Sequence, residues 1–238
     1  MAGDRQDPWY DDDREREADE ARRAARPYSI AVGVLFLGVI LFAGINALRN
    51  SGDAVLGPEQ GKRVPLFAAP TATGSEDADA NIDQGKVAED GKRRDSACDI
   101  AGSRRDVVRI CDYFDRPLAI VFWFTRGCGS CRRQLDTIER VRKRVPGVAF
   151  VGVDVADSKD NARKEVLEHG WTFPMAYDRD GAVSQLYGIG GGPTIVFAYP
   201  HGITAYVQLG ELDERALARR ARRLASASRR REDGARIG

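Results

Sequence analysis

The chain has 238 residues, of which 37 are basic and 36 acidic, so its formal net charge is only +1. Nucleic-acid-binding domains carry an excess of basic charge, so this balance argues against nucleic acid as a partner. The mean hydropathy of -0.42 excludes a protein with many membrane spans, and the length suits one folded domain with additional segments.

The N-terminal part combines a charged stretch with one strongly apolar segment. Residues 1–27 are dense in charged side chains, which predicts a disordered cytoplasmic tail. Residues 28–48 contain the apolar run from Ile30 to Leu48, and a helix of this length, at about 1.5 Å per residue, reaches roughly 28 Å, enough for the hydrocarbon core of a bilayer. A cleaved signal peptide would have a shorter apolar core followed by a small-residue cleavage site. The sequence therefore predicts one retained transmembrane signal anchor.

Basic residues on the two sides of this anchor predict its orientation. Five arginines lie in the twenty residues before Ile30, and three basic residues lie in the equal window after Leu48. Because cytoplasmic flanks carry the excess of Lys and Arg, the N-terminus is predicted inside the cell. Residues 49–238 are then predicted outside the cytoplasmic membrane, where lasting disulfides are possible.

Composition divides the rest of the chain into three parts. Residues 49–95 are rich in Gly, Ala, Asp and Lys, which predicts a flexible linker, with Val64 to Phe67 as a segment able to dock on the domain. The folded domain is predicted at 96–226, a length that can bury one hydrophobic core. The polar and basic residues 227–238 predict a disordered C-terminal tail.

Strands and helices alternate along the predicted domain. Continuous apolar runs predict strands buried on both faces, and periodic apolar positions predict helices. The predicted elements are, in chain order, a strand at Leu118–Phe124, a helix from Cys128 to about Val145, a strand at Val148–Val155, a helix at Lys159–His169 capped by Gly170, a hairpin of Thr194–Tyr199 with Ala205–Leu209, and a helix from Glu214 to about Ala225 capped by Asp213. This order predicts an α/β fold whose sheet has helices on both faces.

Two cysteines, Cys128 and Cys131, lie three residues apart where the first strand leads into the first helix. The free N–H groups and the partial positive charge of a helix N-terminus favour a thiolate over a thiol at Cys128, and Arg126 could favour it further. Cys131, one turn inside the helix, is expected to be shielded and able to attack a mixed disulfide formed at Cys128. The pattern predicts a redox pair in which Cys128 is the nucleophile and Cys131 the resolving thiol.

A zinc site and an inert structural disulfide are the alternatives for this pair. Zinc needs two further ligands, whereas Cys98 and Cys111 form no second C-x-x-C, and His169 and His201 are distant in sequence. The position at a strand-to-helix junction favours the redox pair over a purely structural bond. No metal and no organic cofactor is predicted.

Three stretches resemble the thioredoxin superfamily, most closely its membrane-anchored TlpA/ResA-like thiol-disulfide oxidoreductases. They are Val121–Thr125 leading into Cys128–Cys131, Thr172–Pro174 with Asp178–Gly181, and Gly192–Thr194. The resemblance covers about residues 96–226 and implies a thioredoxin-like central mixed sheet with helices on both faces. In that superfamily the proline matching Pro193 is cis and packs beside the cysteines, and the residue before it, here Gly192, offers its backbone to the substrate. Gly192 and Pro193 are thereby implied to bind substrate.

Three positions depart from the pattern of that family. Gly127 stands where a bulky residue such as Trp usually precedes the first cysteine, and Ser130 stands where proline is common. Gln134 occupies a position that can be acidic in ResA-like members. These departures leave the redox potential and the choice of substrate open.

The other two cysteines, Cys98 and Cys111, are predicted to form a structural disulfide, because they are the only remaining pair and the predicted compartment is oxidising. The loop that they close would contribute about 3 kcal/mol in the chain-entropy model. The alternative is a second redox pair that relays electrons to Cys128.

The predicted function is a membrane-tethered extracytoplasmic thiol-disulfide oxidoreductase that exchanges disulfides with protein thiols or disulfides and is recycled by a membrane redox partner. One alternative is a peroxiredoxin-like (AhpC/TSA-type) thiol peroxidase, since Thr125 to Cys128 matches T-x-x-C, although Val121 stands where that pattern has proline. A non-catalytic thioredoxin-fold interaction module is the other alternative.

Several further side chains are weaker candidates. The tryptophans Trp123 and Trp171 are expected in the core, and the histidines are expected to be solvated. Asp154, in an otherwise apolar strand, could tune the cysteines, but a capping role at the strand end is preferred. The basic run Arg219 to Arg223 is expected on the outer face of an amphipathic helix.

Overall fold

The computed structural model describes residues 34–41, 57–85 and 95–237. Residues 34–41 are helical with exposed side chains. No helix within these described ranges is both long and apolar enough to cross a membrane. The predicted tail at 1–27 and most of the predicted anchor at 28–48 lie outside the described residues, so both stay predictions.

Seven strands occur in the described part of the chain, and five of them form the central sheet. Their bounds are β1 Ala68–Pro70, β2 Val107–Arg109, β3 Leu118–Trp123, β4 Ala149–Val155, β5 Met175–Asp178, β6 Thr194–Tyr199 and β7 Ile203–Leu209. The central sheet has the order β5-β4-β3-β6-β7, and β1 pairs with β2 in a separate two-stranded sheet. Strands β3, β4 and β5 run parallel, whereas β6 is antiparallel to β3 and to β7. The sheet is therefore mixed, as the predicted fold class requires.

Four α-helices accompany the strands: α1 Gly129–Arg142, α2 Lys159–His169, α3 Ala182–Leu186 and α4 Glu214–Ile237. Local capping explains where two of them begin or end. Gly170 closes α2 in the left-handed conformation, with φ of 66°. The Asp213 carboxylate accepts a hydrogen bond from the Ala216 N–H at 2.7 Å at the start of α4. Both caps confirm the sequence prediction.

The sheet separates two hydrophobic cores, because successive side chains of a strand point to opposite faces. We call the first the α1-side core, which joins alternate residues of β3 such as Val121 and Trp123 to helices α1, α2 and α4. We call the second the β1-side core, which joins Ile120 and Phe122 to α3 and to the N-terminal segment before β3. Helices thus lie on both faces, and all six residues of β3 are buried.

Residues 57–85 differ from the flexible linker expected for 49–95, because they pack on the domain. Val64 and Phe67 are 1% and 0% exposed in the β1-side core. The Tyr187 hydroxyl donates to the Pro65 carbonyl at 2.7 Å, and the Gln84 side chain bonds both backbone groups of Leu66 at 2.8 Å. The docking of Val64 to Phe67 confirms the sequence prediction for that segment, whereas the Gly- and Ala-rich composition around it did not indicate that all of 57–85 is folded. The docked side chains cover the same face of the sheet as α3, which is only five residues long.

Two further differences concern short or polar segments. Strand β5 and helix α3 were not anticipated, since four and five residues are too few to show a period. Helix α4 continues through the expected C-terminal tail at 227–238 to Ile237. Ser228 is 3% exposed, and its hydroxyl donates to the Leu224 carbonyl at 2.9 Å. Arginine and alanine favour helices, so polar composition alone did not indicate disorder here.

Candidate active site

The cysteine pair lies where the buried strand β3 gives way to α1. Cys128 is the N-cap residue of α1, and the Cys131 N–H donates to the Cys128 carbonyl at 3.1 Å in the first turn. A disulfide joins the two residues, with their Cα atoms 5.3 Å apart. Cys128 is half-buried, whereas Cys131 is 0% exposed within the α1-side core. The difference in exposure agrees with the division of roles expected from the sequence.

The loop before β6 lies directly beside this pair. The Gly192–Pro193 peptide bond is cis, and the Gly192 carbonyl oxygen lies 3.4 Å from Cys128 Sγ. The register of β6 on β3, with Thr194 opposite Phe122, holds the loop in this place. The structure therefore brings together Cys128, Cys131, Gly192 and Pro193.

Close packing explains why a glycine precedes the proline. A Cβ atom at Gly192 would lie 2.9 Å from Cδ2 of Phe124 and 3.1 Å from the Phe122 carbonyl oxygen. Any larger residue would force the Phe124 ring or the strand end to move. Gly192 thus lets the backbone of this loop approach the end of β3 and the sulfur of Cys128.

Two polar groups near the Cys128 sulfur act on its protonation in opposite directions. The Ser130 hydroxyl lies 3.7 Å from Sγ and could donate to a thiolate in the reduced protein. The Gly192 carbonyl oxygen can only accept, so it favours the protonated thiol. The N-terminus of the 14-residue helix α1 also favours the thiolate of Cys128, since its first turn has no acidic residue to offset the partial positive charge of the helix.

The residues just before Cys128 are exposed. Gly127 has a φ of 70°, in the left-handed region, and its missing Cβ would meet no other atom within 4 Å. The bulky residue that is usual at this position would therefore have room but a strained backbone. Arg126 is exposed, and no hydrogen bond or ion pair of the described residues joins it to Cys128. Its predicted tuning role stays a prediction.

Arg132 forms an arginine clamp that holds the loop before Cys128 to helices α1 and α2. The Arg132 guanidinium bonds both Glu165 carboxylate oxygens, at 2.6 and 2.7 Å, and also donates to the Thr125 carbonyl at 3.2 Å. The hydrogen bond from Arg132 lowers the pKa of Glu165. The clamp links α1, α2 and the loop before Cys128. The sequence analysis missed it because residues 33 apart carry no local pattern.

A second anchor joins the first turns of α1 to the loop after β7. Gln134 is 0% exposed, and its Oε1 accepts a hydrogen bond from the Leu212 N–H at 2.6 Å. Its Nε2 is buried without a hydrogen-bond partner in the described part of the chain. Beside it, the Arg133 guanidinium pairs with Glu211 at 2.7 Å. Gln134, at the position that can be acidic in ResA-like proteins, therefore has a structural contact of its own.

Asp154 does not cap a strand end, so that prediction is wrong. Its side chain is 0% exposed, and neither carboxylate oxygen has a hydrogen-bond partner among the described residues. In the sheet, Asp154 of β4 pairs with Trp123 of β3 and with Tyr177 of β5. Because side chains alternate along a strand, Asp154 is on the same face as Phe150, which belongs to the α1-side core. Burial, with smaller effects of neighbouring carboxylates, raises the pKa of Asp154 to about 9. The carboxyl is therefore neutral at pH 7.

The tryptophans lie in the core, as predicted. Trp123 and Trp171 are 0% and 4% exposed, and their rings meet edge to face at 5.4 Å. His169 stacks on Trp171 at 4.6 Å on the protein surface. His201 is exposed in the turn between β6 and β7, where its backbone N–H donates to the Phe114 carbonyl. His201 is thus solvated, as predicted, whereas His169 also contacts the Asp136 carboxylate, 3.2 Å from its Nδ1.

Cys98 and Cys111 are joined by a second disulfide, with Cα atoms 5.9 Å apart. They lie in the 3-10 turns Ala97–Asp99 and Ile110–Tyr113, and Cys111 packs against the β1-side core. Cys131 belongs to the α1-side core on the other face of the sheet. This separation argues against an electron relay between the two pairs.

The chain is similar to known proteins both in sequence and in fold. Residues 95–210 match the model of the AhpC/TSA family. The chain is 32% identical over 88 residues to the thiol-disulfide oxidoreductase ResA of Geobacillus thermodenitrificans, covering 36% of this chain and 50% of that protein. It is 26% identical over 109 residues to ResA of Bacillus subtilis, covering 45% of this chain and 60% of that protein. The chain thus spans about half the length of the curated relatives that it matches.

The solved structures show the fold. A thiol:disulfide interchange protein of the thioredoxin family from Chlorobium tepidum superposes with a TM-score of 0.50 at 17% identity, covering 71% of this chain and 99% of that one. The α/β domain is therefore thioredoxin-like. Its sequence is similar, at low identity, to thiol-disulfide oxidoreductases of the ResA type.

Proposed function

We propose that this chain is a membrane-tethered, extracytoplasmic thiol-disulfide oxidoreductase that exchanges disulfides with protein substrates through its Cys-Gly-Ser-Cys site. The observation that carries the proposal is the asymmetry of the cysteine pair, in which Cys128 is half-buried and Cys131 is 0% exposed. An attacking thiolate must reach its substrate, whereas a resolving thiol must wait inside the protein. The similarity to ResA proteins supports the same activity.

The reaction follows from this arrangement. In the reduced protein the Cys128 thiolate attacks one sulfur of a substrate disulfide, so that a mixed disulfide forms and the other substrate sulfur leaves as a thiolate and takes up a proton. Cys131, after losing its proton, attacks the Cys128 sulfur and releases the second substrate thiolate. Two electrons pass to the substrate, and the Cys128–Cys131 disulfide forms. A membrane redox partner returns two electrons, or accepts them when the cycle runs in reverse.

The surroundings of the pair suit an extended polypeptide. Gly191 and Gly192 are half-buried and Gly190 is exposed, so this glycine run presents backbone next to Cys128. Two clefts of the domain, of about 420 and 320 Å³, are lined by residues other than the two cysteines. The sulfur of Cys128 therefore lies at the surface beside a glycine run rather than in either cleft, which favours a protein segment over a small molecule held in a cleft.

The proposed function includes a membrane tether. It is supported by the apolar run from Ile30 to Leu48 and by the excess of arginine before it. A reporter fused after residue 238 tests the orientation. We expect activity from a reporter that works only outside the cytoplasm, and activity from a strictly cytoplasmic reporter would overturn the location.

Trapping of mixed disulfides tests the catalytic roles. A Cys131→Ala variant should accumulate covalent adducts at Cys128 with substrate proteins, because the second attack is missing. The matched control is Cys111→Ala, which also leaves one cysteine without its partner but should trap no substrate at Cys128. If Cys131→Ala traps nothing while the protein is folded, the non-catalytic interaction module becomes the better account.

A thiol peroxidase remains the second candidate, because the matched family is AhpC/TSA and because Thr125 precedes Cys128 by three residues. Val121, where the peroxidase pattern has proline, lies inside the buried strand β3. We expect peroxide consumption to be no faster than that of a free thiol. Rapid consumption that requires Cys128 but not Cys131 would favour the peroxidase.

A further inference from the structure

Helix α4 carries a row of arginines on one face. The spacing of these residues, at i, i+4, i+7, i+8, i+14 and i+15, places them on the same side of an α-helix. We call this row the arginine stripe; it consists of Arg215, Arg219, Arg222, Arg223, Arg229 and Arg230. All six residues are exposed. The stripe therefore forms a basic face of α4 in two groups, four arginines from Arg215 to Arg223 and the pair Arg229 and Arg230.

The opposite face of α4 determines where the stripe points. Leu217, Ala221 and Leu224 are 0%, 0% and 3% exposed in the α1-side core, and Ser228 continues this buried face. Because the apolar face is already covered by the domain, α4 cannot rotate to bury its arginines. The stripe is thus held facing away from the core.

Among the described residues, no carboxylate forms an ion pair with the stripe, although the exposed Asp233 lies on the same face of α4, four residues after Arg229. Arginines elsewhere pair with carboxylates, such as Arg132 with Glu165 and Arg133 with Glu211. No ion pair of the described residues includes an arginine of the stripe, and Glu214, the acidic residue in the first turn of α4, is paired instead with Arg140 of α1. Six neighbouring like charges repel one another, so they do not stabilise the fold. This arrangement suits an anionic partner.

The chain enters the domain at β7, the edge strand that α4 also contacts. The Gly61 N–H donates to the Thr204 carbonyl of β7 at 2.9 Å, and a Cβ atom at Gly57 would lie 2.9 Å from Val207 Cγ2. Tyr206, the neighbour of Val207 on the edge strand, lies under the guanidinium of Arg220 of α4 at 5.5 Å. The N-terminal segment and α4 therefore contact the same edge strand, the segment on the β1 side of the sheet and α4 on the α1 side.

Only a short stretch of sequence connects the predicted anchor to the folded domain. Since residues 57–85 are folded, only eight residues separate Leu48, the end of the apolar run, from Gly57. Eight residues span at most about 29 Å when fully extended. A domain on so short a tether would stay close to the lipid headgroups.

We propose that the arginine stripe binds the anionic headgroups of the membrane to which the chain is tethered, so that the domain rests on the lipid surface along α4. The proposal rests on the tether of the proposed function. Binding is electrostatic, because the apolar face of α4 is already buried, and it should weaken as salt screens the charges. The near-zero net charge of the chain and the predicted compartment make nucleic acid the less favoured anionic partner.

Chemical modification of arginine in the full chain tests the proposal. The protein is incorporated into nanodiscs of phosphatidylcholine, with or without phosphatidylglycerol, and arginines are modified with a dicarbonyl reagent and followed by mass spectrometry. With phosphatidylglycerol, we expect modification of the stripe to slow by at least about fivefold and to recover at high salt. Arg104, Arg105 and Arg116, exposed elsewhere on the domain, should react equally in both discs.

The outcomes distinguish a failure of lipid binding by the stripe from a failure of the proposed membrane tether. Equal modification of the stripe in both discs overturns the proposal, as does protection by added duplex DNA but not by anionic lipid. A chain that stays out of the discs and in solution at high salt would instead refute the tether of the proposed function.

A matched pair of variants gives a second test. One replaces the six arginines of the stripe with Gln, and the other replaces six exposed basic residues outside α4: Arg104, Arg105, Arg116, Lys143, Arg163 and Lys164. Both lose the same charge. In anionic discs, the tryptophan anisotropy of the stripe variant should decay faster, because its domain moves freely on the tether. Equal decay in the two folded variants would contradict the proposal.

Discussion

The two disulfides have similar spans but different surroundings. Cys128 and Cys131, 5.3 Å apart at Cα, lie at the N-terminus of a 14-residue helix whose first turn has no acidic residue. Helix amides favour a thiolate there, and the Gly192 carbonyl, 3.4 Å from Cys128 Sγ, offers a contact to an incoming group. One sulfur can reach a partner while the other is enclosed.

The other pair has none of these features. Cys98 and Cys111, 5.9 Å apart at Cα, lie in 3-10 turns of three and four residues. Neither lies at the N-terminus of a long helix, whose amides would favour a thiolate. The comparison teaches that the groups around the sulfurs, rather than the span of the bridge, distinguish a site for exchange from a structural link.

The largest expected effect separates the two pairs by activity. Cys128→Ala should abolish disulfide exchange with a protein substrate, because the attacking sulfur is lost. The double variant Cys98→Ala with Cys111→Ala should retain exchange, since its pair lies on the other face of the sheet. The measurement is the rate of reduction of a disulfide-bonded test protein. A double variant as inactive as Cys128→Ala, yet folded, would break the comparison.

The next effect concerns stability. Loss of the Cys98–Cys111 disulfide should lower the free energy of unfolding by about 3 kcal/mol, as expected for a closed loop of this size in the chain-entropy model. Denaturant unfolding of the double variant against the unaltered protein, both oxidised, measures this difference. Unchanged stability would remove the structural role assigned to this bridge.

An effect of similar size tests the buried carboxyl on the α1 side of the sheet. Burial raises the pKa of Asp154 from 3.8 to about 9, so the folded protein holds a proton that the unfolded chain releases between these values. Its contribution to stability is therefore fully present below about pH 4 and is lost as the pH rises toward 9. The slope approaches about 1.4 kcal/mol per pH unit.

Asp154→Asn should remove this slope and stabilise the protein at neutral pH. Unfolding measured across pH 5 to 8, an interval of about 3 units inside the window of that titration, provides the check. Asp160→Asn, which alters an exposed acid at the start of α2, serves as the control and should leave the slope in place. A slope that survives in Asp154→Asn would show that other groups cause it.

The smallest effect concerns the loop beside Cys128. Gly192→Val should destabilise the protein by about 1 to 3 kcal/mol, because its side chain would overlap Phe124. It should also slow exchange by displacing the loop. At Gly190 an added Cβ would meet no atom within 4 Å, so Gly190→Val should be nearly neutral. Equal behaviour of the two variants, in unfolding and in exchange rate, would show that close packing at Gly192 is unimportant.

Local patterns in the sequence predicted much of this fold. The strand β3 has an unbroken apolar run, α2 ends at a glycine, and the hairpin turns at Pro200–Gly202, as expected. The C-x-x-C pair was recognisable because the junction of a buried strand with a helix can be inferred from neighbouring residues. These features depend on contacts within a few positions of the chain.

The features that escaped prediction depend on contacts between distant residues. The pairing of Arg132 with Glu165 and the hydrogen bonds of Gln84 to Leu66 join segments far apart in the chain. Likewise, whether Asp154 caps a strand or is buried without partners depends on three elements that pack around it. Composition over 49–95 and 227–238 described the average of each segment, whereas burial of a few side chains determined the structure.

The most direct test of the central claim is a redox titration of the full chain against thiol buffers, with alkylation and mass spectrometry reporting each cysteine separately. We expect Cys128 and Cys131 to titrate together at a potential between about -270 and -120 mV, the range of thioredoxin-fold catalysts. Cys98 and Cys111 should stay oxidised down to below about -300 mV, as structural disulfides do. If Cys98 and Cys111 titrate first, or if Cys128 and Cys131 do not cycle, the assignment of the exchange site is wrong.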